Sequence, residues 1–143
     1  MKKILVINGP NLNMLKVRDA KNYGNQTLAE IENLIKNRFK EFNFEFFQSN
    51  HEGYIIDKIH EAFKFDALVI NPGAFTHTSI AIRDALELLP IIKVEVHLSN
   101  LKAREEFRRV NVISDVVDNS FMGKHSESYL EAMEFIRKKL KLL

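Results

Sequence analysis

Four short apolar stretches, residues 4–7, 44–47, 67–70 and 91–96, are separated by longer segments whose apolar residues recur at helical spacing. Parallel strands cannot be joined by tight hairpins, so this alternation is the pattern of a parallel sheet with crossover helices. A weaker fifth strand is expected over residues 116–122. Thr27 and Glu30 form a capping box, and Leu28, Ile31, Ile35, Phe39 and Phe42 share one face, which predicts a helix from residue 27 to about residue 41. Further stripes are Ile55, Ile59, Ala62 and Phe63, then Ile82, Ala85, Leu86 and Leu89, the latter stopped by Pro90. A last helix is expected near Ser128, capped with Glu131, with Tyr129, Ala132, Met133, Ile136 and Leu140 on its inner side.

The resulting order, β-α-β-α-β-α-β-(short α)-β-α, fits an α/β fold: a flavodoxin-like, open, doubly wound five-stranded parallel sheet with helices on both faces. A barrel would need more units. A chain of 143 residues suits one domain, 1–143, and its eleven Phe supply a packed core. The absence of Cys excludes disulfides, thiolate zinc sites, iron–sulfur clusters and a cysteine nucleophile. Twenty-one basic against nineteen acidic residues leave +2, too weak a balance to imply nucleic acid as a partner. The first apolar run stops at Asn8, too early for a signal core, and no run approaches a membrane span, so a cytoplasmic protein is expected.

In doubly wound sheets ligands bind beyond the carboxyl ends of the strands. Here those ends carry Asn8-Gly9-Pro10-Asn11, then Asn71-Pro72-Gly73-Ala74-Phe75-Thr76-His77, then Glu95-Val96-His97-Leu98-Ser99-Asn100. Turn chemistry alone accounts for Gly, Pro and some Asn; the convergence of three polar ends on one sheet edge points to a site. Strand alternation puts Glu95 and His97 on one face, where a carboxylate can orient an imidazole. Ser99 and Asn100 would cap a short helix whose i, i+4 spacing aligns Arg104 and Arg108; the alternative is that both arginines pair with Glu105, Glu106 or Asp115 at the surface. The polar segment 12–26 has the length of an active-site lid. It carries Arg18 and Tyr23, and although a tyrosine with its usual pKa of about 10 is a poor base at neutral pH, an adjacent guanidinium favours the phenolate.

The segments N-G-P-N-L-N-M-L, R-D-x-x-x-Y-G, F-F-Q-S-N-H-E-G, I-N-P-G-A-F-T-H-T-S-I-A-I-R-D-A and E-V-H-L-S-N-x-x-A-R-E-E-F-R resemble those of the type II 3-dehydroquinate dehydratases, in order and spacing from Lys3 to about Arg109. The resemblance implies an anti elimination of water from 3-dehydroquinate through an enolate, without metal or cofactor. It implies that Tyr23 removes the C2 proton, Arg18 supports the phenolate and His97 protonates the departing hydroxyl. Glu95 would orient His97, and Asn11 would position a water at the enolate oxygen. Asn71, Leu98 and Ser99 would bind the carboxylate and nearby hydroxyl, and His77 and Arg108 the ring hydroxyls. It further implies a homo-oligomer, trimers arranged into a dodecamer, in which Asp84 reaches a neighbouring site, and a lid contact for Arg104. The chain departs from the family pattern at Lys16, and at His125 and Ser128, where glycines are usual.

Other classes are less well supported. A nucleotide- or flavin-binding module would carry G-x-G-x-x-G after the first strand or a phosphate-cradling loop, and neither occurs. His51-Glu52 and His60-Glu61 lack the H-E-x-x-H spacing of a zinc hydrolase. A non-catalytic small-molecule-binding relative on the same fold is the remaining alternative.

Overall fold

The computed structural model describes residues 1–141. Five strands, β1 (Lys3–Asn8), β2 (Asn43–Gln48), β3 (Ala67–Asn71), β4 (Ile92–His97) and β5 (Asn119–Met122), form one sheet in the order β2-β1-β3-β4-β5. All four pairings are parallel, as expected for an α/β doubly wound sheet. The helices are α1 (Ala20–Tyr23), α2 (Leu28–Arg38), α3 (Glu52–Glu61), α4 (Ile80–Glu87) and α5 (Glu127–Lys141). Among the described residues no helix is long and apolar enough to cross a membrane.

Strand alternation divides the core into two layers. Ile4 and Val6 of β1, Ala67 and Val69 of β3 and Val94 and Val96 of β4 pack with Ile31, Ile35 and Phe39 of the α2 region and with Tyr129, Met133 and Ile136 of α5. The intervening Leu5, Ile7, Leu68 and Ile70 face Ile55 and Ile59 of α3 and Ile82 and Leu86 of α4. β1 and β3 are therefore covered on both faces, which is why they read as continuous apolar runs rather than alternating ones.

Several boundaries differ from those expected. The Thr27–Glu30 capping box forms as predicted, but α2 ends at Arg38 instead of residue 41, because Phe39 leaves the helix (φ −124°, ψ 60°) and buries its ring against the core. The fifth strand starts at Asn119, not 116; Ser114–Val116 is a 3₁₀ turn that packs Val116 and Val117 on the α3/α4 layer. Ser128 does not cap α5: it lies inside the helix, its hydroxyl accepting from the Lys124 amide, while Glu131 pairs with the Lys124 ammonium. Segment 12–26 carries structure of its own, a 3₁₀ stretch Leu12–Val17 plugged inward by Leu12 and Leu15, followed by the single turn α1. Lys16 keeps an ordinary backbone, whereas His125 takes the left-handed conformation at φ +51°.

Candidate active site

Asn8 and Asn71 lie side by side at the ends of β1 and β3. Tyr129 of α5, wholly buried beneath them, donates its hydroxyl proton to Asn8 Oδ1 and accepts from Asn71 Nδ2 at 3.0 Å. Burial pushes the Tyr129 phenol far up, so it stays neutral and acts as a strut. The two strand-end loops interlock at Gly9, whose amide bonds the Asn71 carbonyl at 2.8 Å. A Cβ there would sit 2.4 Å from the Pro72 carbonyl oxygen, so only glycine permits the approach.

At the end of β4, His97 Nε2 lies 2.6 Å from Glu95 Oε2, and both side chains are almost completely buried. Three further donors converge on the same carboxylate: Thr76 at 3.1 Å, Asn111 at 3.0 Å and Ser120 at 2.7 Å. Burial pushes the Glu95 carboxyl up, but the His97 contact and the Ser120 and Asn111 hydrogen bonds outweigh it, leaving Glu95 below the usual carboxylate range. A carboxylate so held only accepts, so Nε2 carries a proton toward it and Nδ1 is the nitrogen left for chemistry.

That shift ties stability to acid. A depressed carboxyl contributes stability that is fully present above the unfolded value of about 4.3 and lost as pH falls through the lower folded value. Glu95→Gln is expected to be less stable than wild type near neutrality, with the gap narrowing in urea melts below about pH 4.3. A gap that is constant with pH would refute the ionised, buried Glu95.

Opposite this pair stands Tyr23, the last residue of α1, its ring packed partly on the α2/α5 layer. The Arg18 guanidinium stacks over the ring, 3.6 Å from its centroid. Arg104 Nη1 donates to the phenol oxygen at 2.6 Å and to Ser99 Oγ at 3.3 Å. Two cations thus flank the one phenol, Arg18 on its ring face and Arg104 at its hydroxyl.

Tyr23, Arg18, Arg104, His97, Asn71, His77, Leu98, Ser99 and Arg108 line a single cavity, together with Leu12, Gly73, Ala74 and Leu101. It holds three arginines and two histidines but no Asp or Glu, so its field suits an anionic ligand. His77 Nδ1 donates to the Val110 carbonyl at 2.6 Å, which leaves Nε2 as an acceptor; burial lowers its pKa, helped by the charges of His97 and Arg108. Glu95 sits behind His97 and does not line the cavity. Asn11 is exposed, in a left-handed conformation beside the lining Leu12, and Asp84 is on the exposed side of α4; neither lines the cavity of this chain.

The expected helix bearing Arg104 and Arg108 is not continuous. Two 3₁₀ turns, Leu101–Ala103 and Glu106–Arg108, are separated by an extended Arg104 (φ −109°, ψ −168°), and Asn100 rather than Ser99 caps the first. Both arginines contact Glu105, at 3.5 and 3.3 Å, as the surface alternative had it, while still lining the cavity; Asp115 pairs with Arg83 instead. Thr76 lay in the polar run after β3 that pointed to the site, but Asn111, Ser120 and Tyr129 had no distinguishing sequence signal toward it. The polar position of Ser120 in a strand, beside Glu95 in register, is the nearest to one.

The chain matches the family model described as dehydroquinase class II over residues 2–137. It is 52% identical over 143 residues to the 3-dehydroquinate dehydratase of Thermotoga petrophila, covering 99% of each chain. It is 50% identical over 137 residues to that of Caldicellulosiruptor bescii, covering 93% and 94%. The crystal structure of type II dehydroquinase from Butyrivibrio crossotus superposes with a TM-score of 0.92 at 47% identity, over 95% of this chain and 97% of that one. With the family model matching residues 2–137 and relatives agreeing over nearly its full length, the chain belongs to the class II dehydroquinase family.

Proposed function

We propose that the cavity dehydrates 3-dehydroquinate to 3-dehydroshikimate, the hydro-lyase step of the shikimate pathway, with Tyr23 as base and His97 as acid. The observation that carries this reading is the pairing of a doubly cation-flanked phenol with a carboxylate-held imidazole in one cavity free of acidic side chains. The Tyr23 phenolate takes the C2 proton, and the electron pair of that C–H bond moves toward the carbonyl to give an enolate. Arg18 over the ring and Arg104 on the oxygen put positive charge where the phenolate carries its negative charge. The enolate then expels the C1 hydroxyl, which takes a proton from His97 Nδ1 and leaves as water. Tyr23 returns its proton to solvent and His97 regains one, so the balance is loss of one water.

In this reading Asn11 positions a water at the enolate oxygen and Glu95 keeps His97 turned to the substrate. Asn71, Leu98 and Ser99 hold the carboxylate and nearby hydroxyl, and His77 and Arg108 contact the ring hydroxyls. The chemistry needs only side chains, and chelator-treated protein is expected to raise the ultraviolet absorbance of the conjugated enone product when mixed with 3-dehydroquinate. Folded protein that produces no rise would favour the non-catalytic binding reading.

Residues 1–143 act as one domain in a cytoplasmic, trimer-based dodecamer. The exposed position of Asp84 on α4, outside its own chain's cavity, supports a role across a subunit boundary. Asp84→Ala is expected to raise KM by about 10-fold, the scale of one charge-assisted hydrogen bond, with a smaller change in kcat. An unchanged KM would remove Asp84 from the substrate site.

A further inference from the structure

Tyr23 is carried by a single helical turn, too short to hold itself in place. Among the described residues, only two side chains from elsewhere in the chain hydrogen-bond the segment Arg18–Gly24. One is Arg104, on the Tyr23 hydroxyl; the other is His125, whose Nε2 donates to the Lys21 carbonyl at 3.0 Å. His125 also lies close to Gly24: a Cβ added there would be 3.4 Å from its Cβ and Cγ. His125 thus grips the chain two residues before the phenol and one residue after it.

The other end of this link is anchored on the acid's strand. The His125 amide bonds the Leu98 carbonyl at 3.0 Å, and the turn it belongs to bonds the His97 carbonyl through the Gly123 amide at 3.4 Å. Its backbone is left-handed, φ +51°, a conformation that glycine would take without steric cost. The chain nevertheless places there a side chain that reaches the base-bearing turn.

We propose that His125 is a positioning residue for catalysis, a latch that joins the Tyr23 turn to the end of β4 and fixes the base relative to His97. It holds the segment through the donated Nε2–H and through its close approach to Gly24, and it touches neither substrate nor reacting atoms.

This rests on the reading of Tyr23 as base, so the test has one arm that does not involve turnover. His125→Gly deletes the latch and relieves the left-handed strain, so its melting temperature is expected within about 2 °C of wild type. Tryptic cleavage of the native protein after Arg18 and Lys21 is expected to quicken by about 2- to 10-fold, the equilibrium worth of one hydrogen bond, and kcat to fall by a similar factor. His125→Gln, whose amide can donate to the same carbonyl, is expected to restore slow cleavage and most of kcat. Unchanged cleavage in His125→Gly, a glutamine variant no better than the glycine one, or a large fall in melting temperature would each overturn the latch. Wild-type protein that does not turn over 3-dehydroquinate would instead refute the proposed function, while the cleavage arm still decides whether His125 holds the segment.

Discussion

Tyr23→Phe is expected to fold normally and to lose at least about 10²–10⁴-fold in kcat, the usual contribution of a positioned general base. The substitution is selective because of how the ring is held. Phenylalanine keeps the packing on the α2/α5 layer and the Arg18 stack over the ring face. It removes one oxygen and with it the Arg104 hydrogen bond at 2.6 Å. Tyr23 is only half-buried, so Arg104 can turn to Ser99 and water, and stability should change by no more than about 1 kcal/mol. Steady-state absorbance measured beside a thermal melt checks both parts. Activity within about threefold of wild type, below the contribution of any positioned base, would exclude Tyr23 from that role.

The parts of this site that were legible in the sequence are those fixed by local rules. Strand alternation alone placed Glu95 and His97 on one face, and the structure joins them at 2.6 Å. The polar residues that close the first and third strands occupy the sheet edge where the fold puts ligands. What was not legible depends on partners far apart in the chain. Asn111 and Ser120 reach Glu95 only because β5 and the loop before it return beside β4. Tyr129 counted as one apolar position in a helical stripe until the fold set its hydroxyl under two asparagines. Arg104 was assigned to a helix by its spacing from Arg108, yet it reaches Tyr23 from an extended residue between two 3₁₀ turns. At Ser128 the capping pattern was present, but the turn led by Gly123 and His125 had already set the helix start one residue earlier. Both side chains bond Lys124 of the preceding turn in place of the helix end, a local case in which the turn, not a distant partner, overrode the pattern.

The second large effect concerns the acid, and it separates what His97 does from what Glu95 does. His97→Ala is expected to lower kcat by about 10²–10⁴-fold, because no other side chain in the cavity is held to deliver a proton to the departing hydroxyl. Glu95 lies behind the imidazole with no exposed surface, so it acts only through His97. Glutamine at position 95 keeps the shape but turns one acceptor into a donor toward Thr76, Asn111, Ser120 and His97, all of which now donate to the carboxylate. The imidazole loses its orientation, and Glu95→Gln is expected to cost about 10–10²-fold, less than removal of the acid itself. In the double variant the two losses should not multiply: once His97 is gone Glu95 has nothing left to orient, and activity should equal that of His97→Ala alone. The cycle is read from kcat at saturating substrate, with melts to confirm that each variant is folded. Multiplicative losses would mean that Glu95 contributes by a route that does not pass through His97, and the orienting role would have to be abandoned.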